Sequence, residues 1–264
     1  MRSRRFLGKQ VVVLAGTLLV LAGMASSALA AASIVLSKHD LSTGNNTGNT
    51  QFASVFGTDN AGFVTLITEV CVFCHTPHNA STDAANGINH TLWNRTASAA
   101  GNNFTMYSSN TMSATVSSKP TGVSMMCMSC HDGVTSVGVG LLNSPGPGNP
   151  PVAVDPFSAM PGTGRMGDVL DGSWPFGYGA NIGEVTTPFT ASVNLANDHP
   201  ISFEWPLNAT DLYATPQDPS LRLFGASKKR MECATCHTVH DSTNPPFLAM
   251  SNASSNMCRA CHIK

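Results

Sequence analysis

The chain has 264 residues and a formal net charge of −1, and only 11% of its residues are charged, against about 25% in ordinary domains. This composition offers no basic surface that could neutralise phosphates, so we expect no nucleic-acid partner. Low charge also leaves little repulsion between copies of the chain, which favours assembly.

Residues 1–30 have the features of a secretory signal peptide. Basic residues precede an apolar stretch, Val11–Ala22, that is short for a bilayer span, and Ala28–Ala30 has the Ala-x-Ala form of a cleavage site. We expect cleavage after Ala30, with Ala32 as the second choice, and a retained membrane anchor is the alternative. Removing 30 residues leaves 234, enough for one or two domains, and changes the formal charge from −1 to −5.

Residues 31–60 form an N-terminal arm at the start of the mature chain. The arm carries one histidine, His39, followed by a flexible run, Ser42–Asn49, that is rich in Gly, Asn and Thr. A lone histidine of this kind is usually a solvated side chain. The role of His39 therefore depends on whether the rest of the chain needs metal ligands.

Four copies of the pattern Cys-x-x-Cys-His follow, and together they use all eight cysteines. The pattern is the attachment signature of c-type haem, in which two thiols bond to one edge of the porphyrin and the histidine binds iron. Positions i, i+3 and i+4 of a helical turn share one face, so all three side chains project together. The predicted attachment residues are Cys71, Cys74, Cys127, Cys130, Cys233, Cys236, Cys258 and Cys261, and the predicted proximal iron ligands are His75, His131, His237 and His262. The cofactor is thus four haems c.

Two other interpretations of the cysteines are available. Cys-x-x-Cys pairs also bind zinc, so the eight cysteines could form two four-cysteine sites. Disulfides are permitted in an exported chain. Neither interpretation explains why a histidine follows the second cysteine in all four copies.

The first and third motifs are each extended to His-x-x-His, by His78 and His240 respectively. Two histidines separated by two residues cannot occupy opposite faces of one haem. If His78 binds iron, it serves another haem and brings the two haems close together. Its alternative is a surface residue in a turn formed at Pro77. His90 has no such relation to a motif.

The second motif is flanked by Met125, Met126 and Met128, which we expect to pack against apolar surface rather than to ligate iron. A Pro- and Gly-rich connection over residues 145–188 allows no long helix. The connection is followed by His199, which Pro200 holds in an extended conformation, either as a ligand or as a turn residue.

The last two motifs are separated by only 20 residues, so the third and fourth haems must lie close together. Ser254 or Ser255 is placed to cap a short final helix over residues 256–263.

Five pieces of the mature chain, taken in order, resemble the tetrahaem cytochromes of the OmcE type, which are secreted electron carriers that polymerise into extracellular filaments. The pieces are Lys38–Ser42, Cys71–Asn79, Leu92–Arg95, Cys130–Gly133 and Asp198–Phe203. The resemblance implies bis-histidine haems whose distal ligands are His39, His78, His199 and His240, and it gives no role to His90. Residues 145–188 match no part of this pattern.

We therefore expect residues 31–264 to fold as a haem-cored multihaem cytochrome, mostly loops, with short α-helices at the motifs and little regular secondary structure. The expected function is electron transfer rather than catalysis, in an extracellular or cell-surface filament of identical copies that exchanges electrons with redox partner cytochromes. No stable membrane span is expected in the mature protein. The alternatives are a monomeric periplasmic shuttle serving a reductase, and an enzyme with one five-coordinate haem. The arm either places His39 on an iron of the next subunit or folds back on its own chain.

Overall fold

The computed structural model describes residues 34–35, 37–40, 69–98, 100–133, 135, 142–143, 182, 193–207 and 209–263. All of them belong to one compact unit, residues 34–264. The predicted signal peptide, most of the N-terminal arm and most of the 145–188 connection lie outside the described residues.

The helices are short, and each includes or adjoins a Cys-x-x-Cys-His motif. A 3-10 helix spans Val70–Phe73, α1 spans Gly122–His131, α2 spans Cys233–Cys236, and α3 spans Asn256–Arg259 after a 3-10 turn at Ala253–Ser255. The prediction of few short helices and little regular secondary structure is confirmed. No helix in the described ranges is long and apolar enough to cross a membrane.

Four two-residue strands form two small sheets in the described residues. β1 (Phe104–Thr105) pairs in parallel with β2 (Val193–Asn194), and β3 (Phe203–Glu204) pairs antiparallel with β4 (Arg230–Met231). The first sheet joins the segment before the second motif to the segment that follows the 145–188 connection. The second sheet brings the segment that follows His199 beside the third motif.

Two apolar clusters support the motifs. The first surrounds the second motif and contains Ile88, Ala100, Phe104, Met125, Met126, Met128, Val193 and Leu195. All three methionines of α1 are buried in it. The second cluster supports the third and fourth motifs and contains Phe203, Trp205, Leu221, Met231, Ala260 and Cys261.

The final helix differs from its prediction. α3 ends at Arg259 rather than at residue 263, and Ser255, at the N-cap position with φ of 59°, makes no side-chain capping hydrogen bond. The chain leaves the helix because its next residues bond to a distant segment, residues 211–217. The bonds run from Tyr213 N–H to Cys261 O (3.0 Å), from Gln217 N–H to Ala260 O (2.8 Å) and from Ile263 N–H to Asp211 O (2.8 Å).

Candidate haem-binding site

Every motif is built on one helical turn. The backbone N–H of the histidine donates to the carbonyl of the first cysteine at His75 (2.8 Å), His237 (3.0 Å) and His262 (2.9 Å). The second motif lies within α1, which ends at His131. Two thiols and one imidazole therefore share a face in each copy, as the spacing predicts.

Three of the four motif histidines are held by a distant segment directly after the helical turn. Isolated β-bridges join His75 to Trp93, His237 to Leu248 and His262 to Leu212. A bridge fixes the backbone of the histidine outside the helix. The direction of each imidazole is therefore set by non-local contacts as well as by the motif itself.

In two motif histidines, the two ring nitrogens have different hydrogen-bonding roles. Nδ1 of His75 lies 2.6 Å from the carbonyl oxygen of Thr91, and Nδ1 of His237 lies 3.1 Å from that of Pro246. A carbonyl oxygen only accepts, so each Nδ1 carries the hydrogen and each Nε2 keeps its lone pair. Metal-binding histidines are commonly held in this way. These residues fit a haem iron.

Two pairs of predicted ligands lie at the separation that one iron requires. The ring centroids of His75 and His240 are 6.1 Å apart, and those of His131 and His39 are 5.9 Å apart. With metal–nitrogen bonds of about 2 Å, two imidazoles on opposite sides of one iron have centroids about 6 Å apart. Each separation is therefore compatible with one proximal and one distal ligand of the same iron, as predicted.

His199 lies near the motif histidine His262. Desolvation lowers the pKa of His199, and the neighbouring imidazole of His262 lowers it further, against the opposing effect of a hydrogen bond to the Pro200 carbonyl. His199 is an exposed residue, so only part of its ring is removed from water. Its Nδ1 lies 3.0 Å from the Pro200 carbonyl oxygen, which leaves Nε2 available to a metal.

His39, in the N-terminal arm, packs against a distant part of its own chain. The ring of His39 packs 4.5 Å from that of Phe247, and its Nδ1 is buried with no hydrogen-bond partner among the described residues. Burial, together with the neighbouring His131, His240 and His237, lowers the pKa of His39 to about 4. An imidazole kept neutral in this way retains the lone pair that an iron ligand needs. In the described residues His39 therefore packs within its own chain, and whether it also serves an iron of another subunit stays a prediction.

The thiols of neighbouring motifs approach one another. A hydrogen bond between Cys127 and Cys233, followed by burial, raises the pKa of Cys127 well above its ordinary value. The same bond lowers the pKa of Cys233 against the opposing effect of burial. Burial and, to a smaller extent, Cys130 raise the pKa of Cys74 to about 12. Burial raises the pKa of Cys236 to about 11, with Cys261 adding to the effect. The four motifs therefore form one connected group.

Neither alternative interpretation of the cysteines finds support in this arrangement. All eight cysteines lie in the described residues, and none of them forms a disulfide. In that same part of the chain, no three His, Cys, Asp or Glu side chains are gathered as a metal-ion site would require.

The structure does not bring His78 or His90 to another predicted ligand. Both are exposed, and in the described part of the chain neither ring contacts another aromatic ring. The backbone of His78 is nonetheless fixed, because its carbonyl accepts from Thr76 Oγ1 (2.8 Å) and from Asn143 Nδ2 (2.5 Å).

Two buried charged residues of the site were not predicted from the sequence. Arg95 is 1% exposed, donates from Nη2 to Ser129 O (3.3 Å), and lies near the thiols of the first two motifs. Glu232 is 2% exposed and directly precedes the third motif. Neither belongs to the Cys-x-x-Cys-His pattern. Arg95 belongs to the segment Leu92–Arg95 that resembles the OmcE-type cytochromes, but it had no predicted role there. No sequence pattern distinguishes Glu232.

Residues 226–264, which hold the third and fourth motifs, match the family model described as the doubled CXXCH motif. The match covers these 39 residues of the 264. Such motifs bind haem c covalently, so the domain is consistent with an electron-transferring c-type cytochrome that carries several haems. No curated protein matches the chain.

Proposed function

We propose that the mature chain is a secreted tetrahaem c-type cytochrome that transfers electrons and polymerises with copies of itself into an extracellular filament. One observation carries this proposal. A single haem-binding turn is repeated four times, and the thiols or imidazoles of neighbouring turns are in contact. Haems attached to such turns must lie close together, which electron transfer between them requires.

Each iron has its own pair of histidines in this proposal. His240 serves the iron of His75 and His39 that of His131, on the ring separations described above, and His199 serves that of His262, whose imidazole is near enough to lower the pKa of His199. The remaining distal ligand, His78, is left for the remaining iron, that of His237. The first and third motifs therefore exchange distal ligands, which agrees with the sequence argument that His78 cannot serve its own haem.

The haem supplies the one-electron chemistry, and the polypeptide controls its surroundings. The thiols fix each macrocycle at one edge. The hydrogen bonds from Nδ1 of His75 and His237 orient the imidazoles. With every iron six-coordinate, no position is open for a substrate, so the protein carries electrons and is not an enzyme.

The filament is supported by the resemblance to OmcE-type cytochromes and by two properties of this chain. Its low charge leaves little repulsion between copies. Cys71 of the first motif and Cys258 of the fourth are exposed, whereas the Cys127 and Cys233 thiols at the centre of the group face each other. Two haems would then lie near the surface, where another copy or a redox partner cytochrome can approach.

Two measurements test the proposal. Mass spectrometry of the secreted, mature protein should show four covalent haems and a start at residue 31. Electron microscopy of the same material should show filaments. A monomer at high concentration with all haems low-spin would favour the periplasmic shuttle, and a high-spin ferric haem in the wild-type protein would favour the enzyme.

A further inference from the structure

The buried carboxylate of Glu232 joins three segments that carry haem residues. It directly precedes α2 of the third motif, and it is bonded to the start of α1, to the segment after His199 and to β4. Oε1 accepts from Thr121 Oγ1 (2.7 Å) and Arg230 Nε (3.4 Å), and Oε2 accepts from Ser124 Oγ (2.5 Å) and Ser202 Oγ (2.9 Å).

The pattern of these bonds favours the ionised form of Glu232. Each of the three hydroxyl groups already accepts an N–H, so its own hydrogen is free to donate to the carboxylate. The three N–H groups are those of Cys233 to Ser124 Oγ (2.9 Å), Thr121 to Ser202 Oγ (3.0 Å) and Arg230 Nη2 to Thr121 Oγ1 (3.2 Å). A carboxyl group surrounded only by donors is held as the acceptor-only carboxylate.

The charge of this carboxylate is not fully compensated. Arg230 is shared between Glu232 and Glu204, whose Oε1 lies 3.3 Å from Arg230 Nη1, so the three side chains together carry a net charge of −1. The side chain of Glu204 is 56% exposed, whereas that of Glu232 is 2% exposed. Water therefore screens Glu204 and does not screen Glu232.

This charge lies beside the attachment residues of two motifs. The hydrogen bond to Cys233 and burial raise the pKa of Cys127, and the negative charge of Glu232 raises it further. At Cys233 the same hydrogen bond lowers the pKa, and the charge of Glu232 opposes that lowering. Ser124, which donates to Glu232, also accepts from the backbone of Cys233. The carboxylate is therefore near the edges at which two haems are attached.

We propose that Glu232 lowers the reduction potentials of the haems of the second and third motifs, while its hydrogen bonds hold those motifs in place. The proposal rests on the proposed function, because it requires both haems to be present. Reduction adds one electron from an external donor to a ferric iron, and no other bond needs to change. A fixed negative charge nearby opposes that addition.

Glu232→Gln removes the charge with little change of shape. A buried unit charge at an effective dielectric constant of about 20 is worth roughly a factor of ten in an equilibrium constant, or about 59 mV for a one-electron couple. Potentiometric titration should therefore show two of the four haems shifted upward by about that amount. The matched control is Glu204→Gln, which removes an exposed carboxylate from the same arginine and should shift the potentials far less.

Unchanged potentials in a Glu232→Gln protein that carries four low-spin haems would overturn this inference and leave the proposed function standing. Fewer than four haems in the wild-type protein would instead overturn the proposed function. If the Glu232→Gln protein cannot be obtained with four haems, the Arg230→Gln variant tests the same inference. It removes the compensating positive charge, so the same two potentials should fall, whereas a rise or no change refutes the role of Glu232.

Discussion

The pairing of His75 with His240 can be tested by removing the distal residue and then its haem. His240→Ala deprives one iron of a ligand, so one haem in four should change from low-spin to high-spin ferric. The two centroids are 6.1 Å apart, the separation expected of ligands on one iron. Electron paramagnetic resonance, integrated against total haem, measures the fraction converted, which should be about one quarter.

The same substitution should have no spectroscopic effect when the first haem is absent. Cys71→Ala with Cys74→Ala prevents attachment at the first motif and leaves three haems. Adding His240→Ala to this variant should leave all three low-spin, because the iron that His240 serves is no longer there. A high-spin signal from one of the three would show that His240 serves another motif, and the exchange of ligands between the first and third motifs would then be wrong.

The remaining predictions concern the support of the second motif and the unassigned histidine. Gly87 has φ of +70°, and a Cβ there would lie 2.7 Å from the backbone nitrogen of Gly122, where α1 begins, so Gly87→Ala should lower the free energy of unfolding by about 2–5 kcal/mol. Gly101→Ala, at φ of +62° with nothing within 4 Å, should lose only about 1–2 kcal/mol in the same denaturant titration, and equal losses would refute the clash. His90→Ala should leave every ferric haem low-spin, and a high-spin haem in that variant would make His90 a ligand.

The motifs were predictable because their spacing follows from local geometry. Cys71, Cys74 and His75 must meet one porphyrin, and a single helical turn places them there in every copy. The end of the final helix was not predictable in this way. Its extent past Arg259 depends on bonds to residues 211–217, and no local pattern encodes a partner so far away in the chain.

The predicted distal ligands likewise depend partly on the local sequence and partly on contacts between distant segments. The sequence indicates that a histidine next to a motif serves a different haem, but it does not say which. Only the fold shows that His240 meets His75 and that His39 meets His131. Glu232 was missed because its importance lies in its partners Thr121, Ser124 and Ser202, none of which is near it in sequence.

The contact between His75 and His240 joins residues that are far apart along the chain. During synthesis and export the amino-terminal part comes first, so the first motif is delivered well before His240. Under the proposed pairing, a haem attached at Cys71 and Cys74 would have His75 as its only protein ligand during that interval. Completion of this haem site would then wait for delivery of the segment that carries His240.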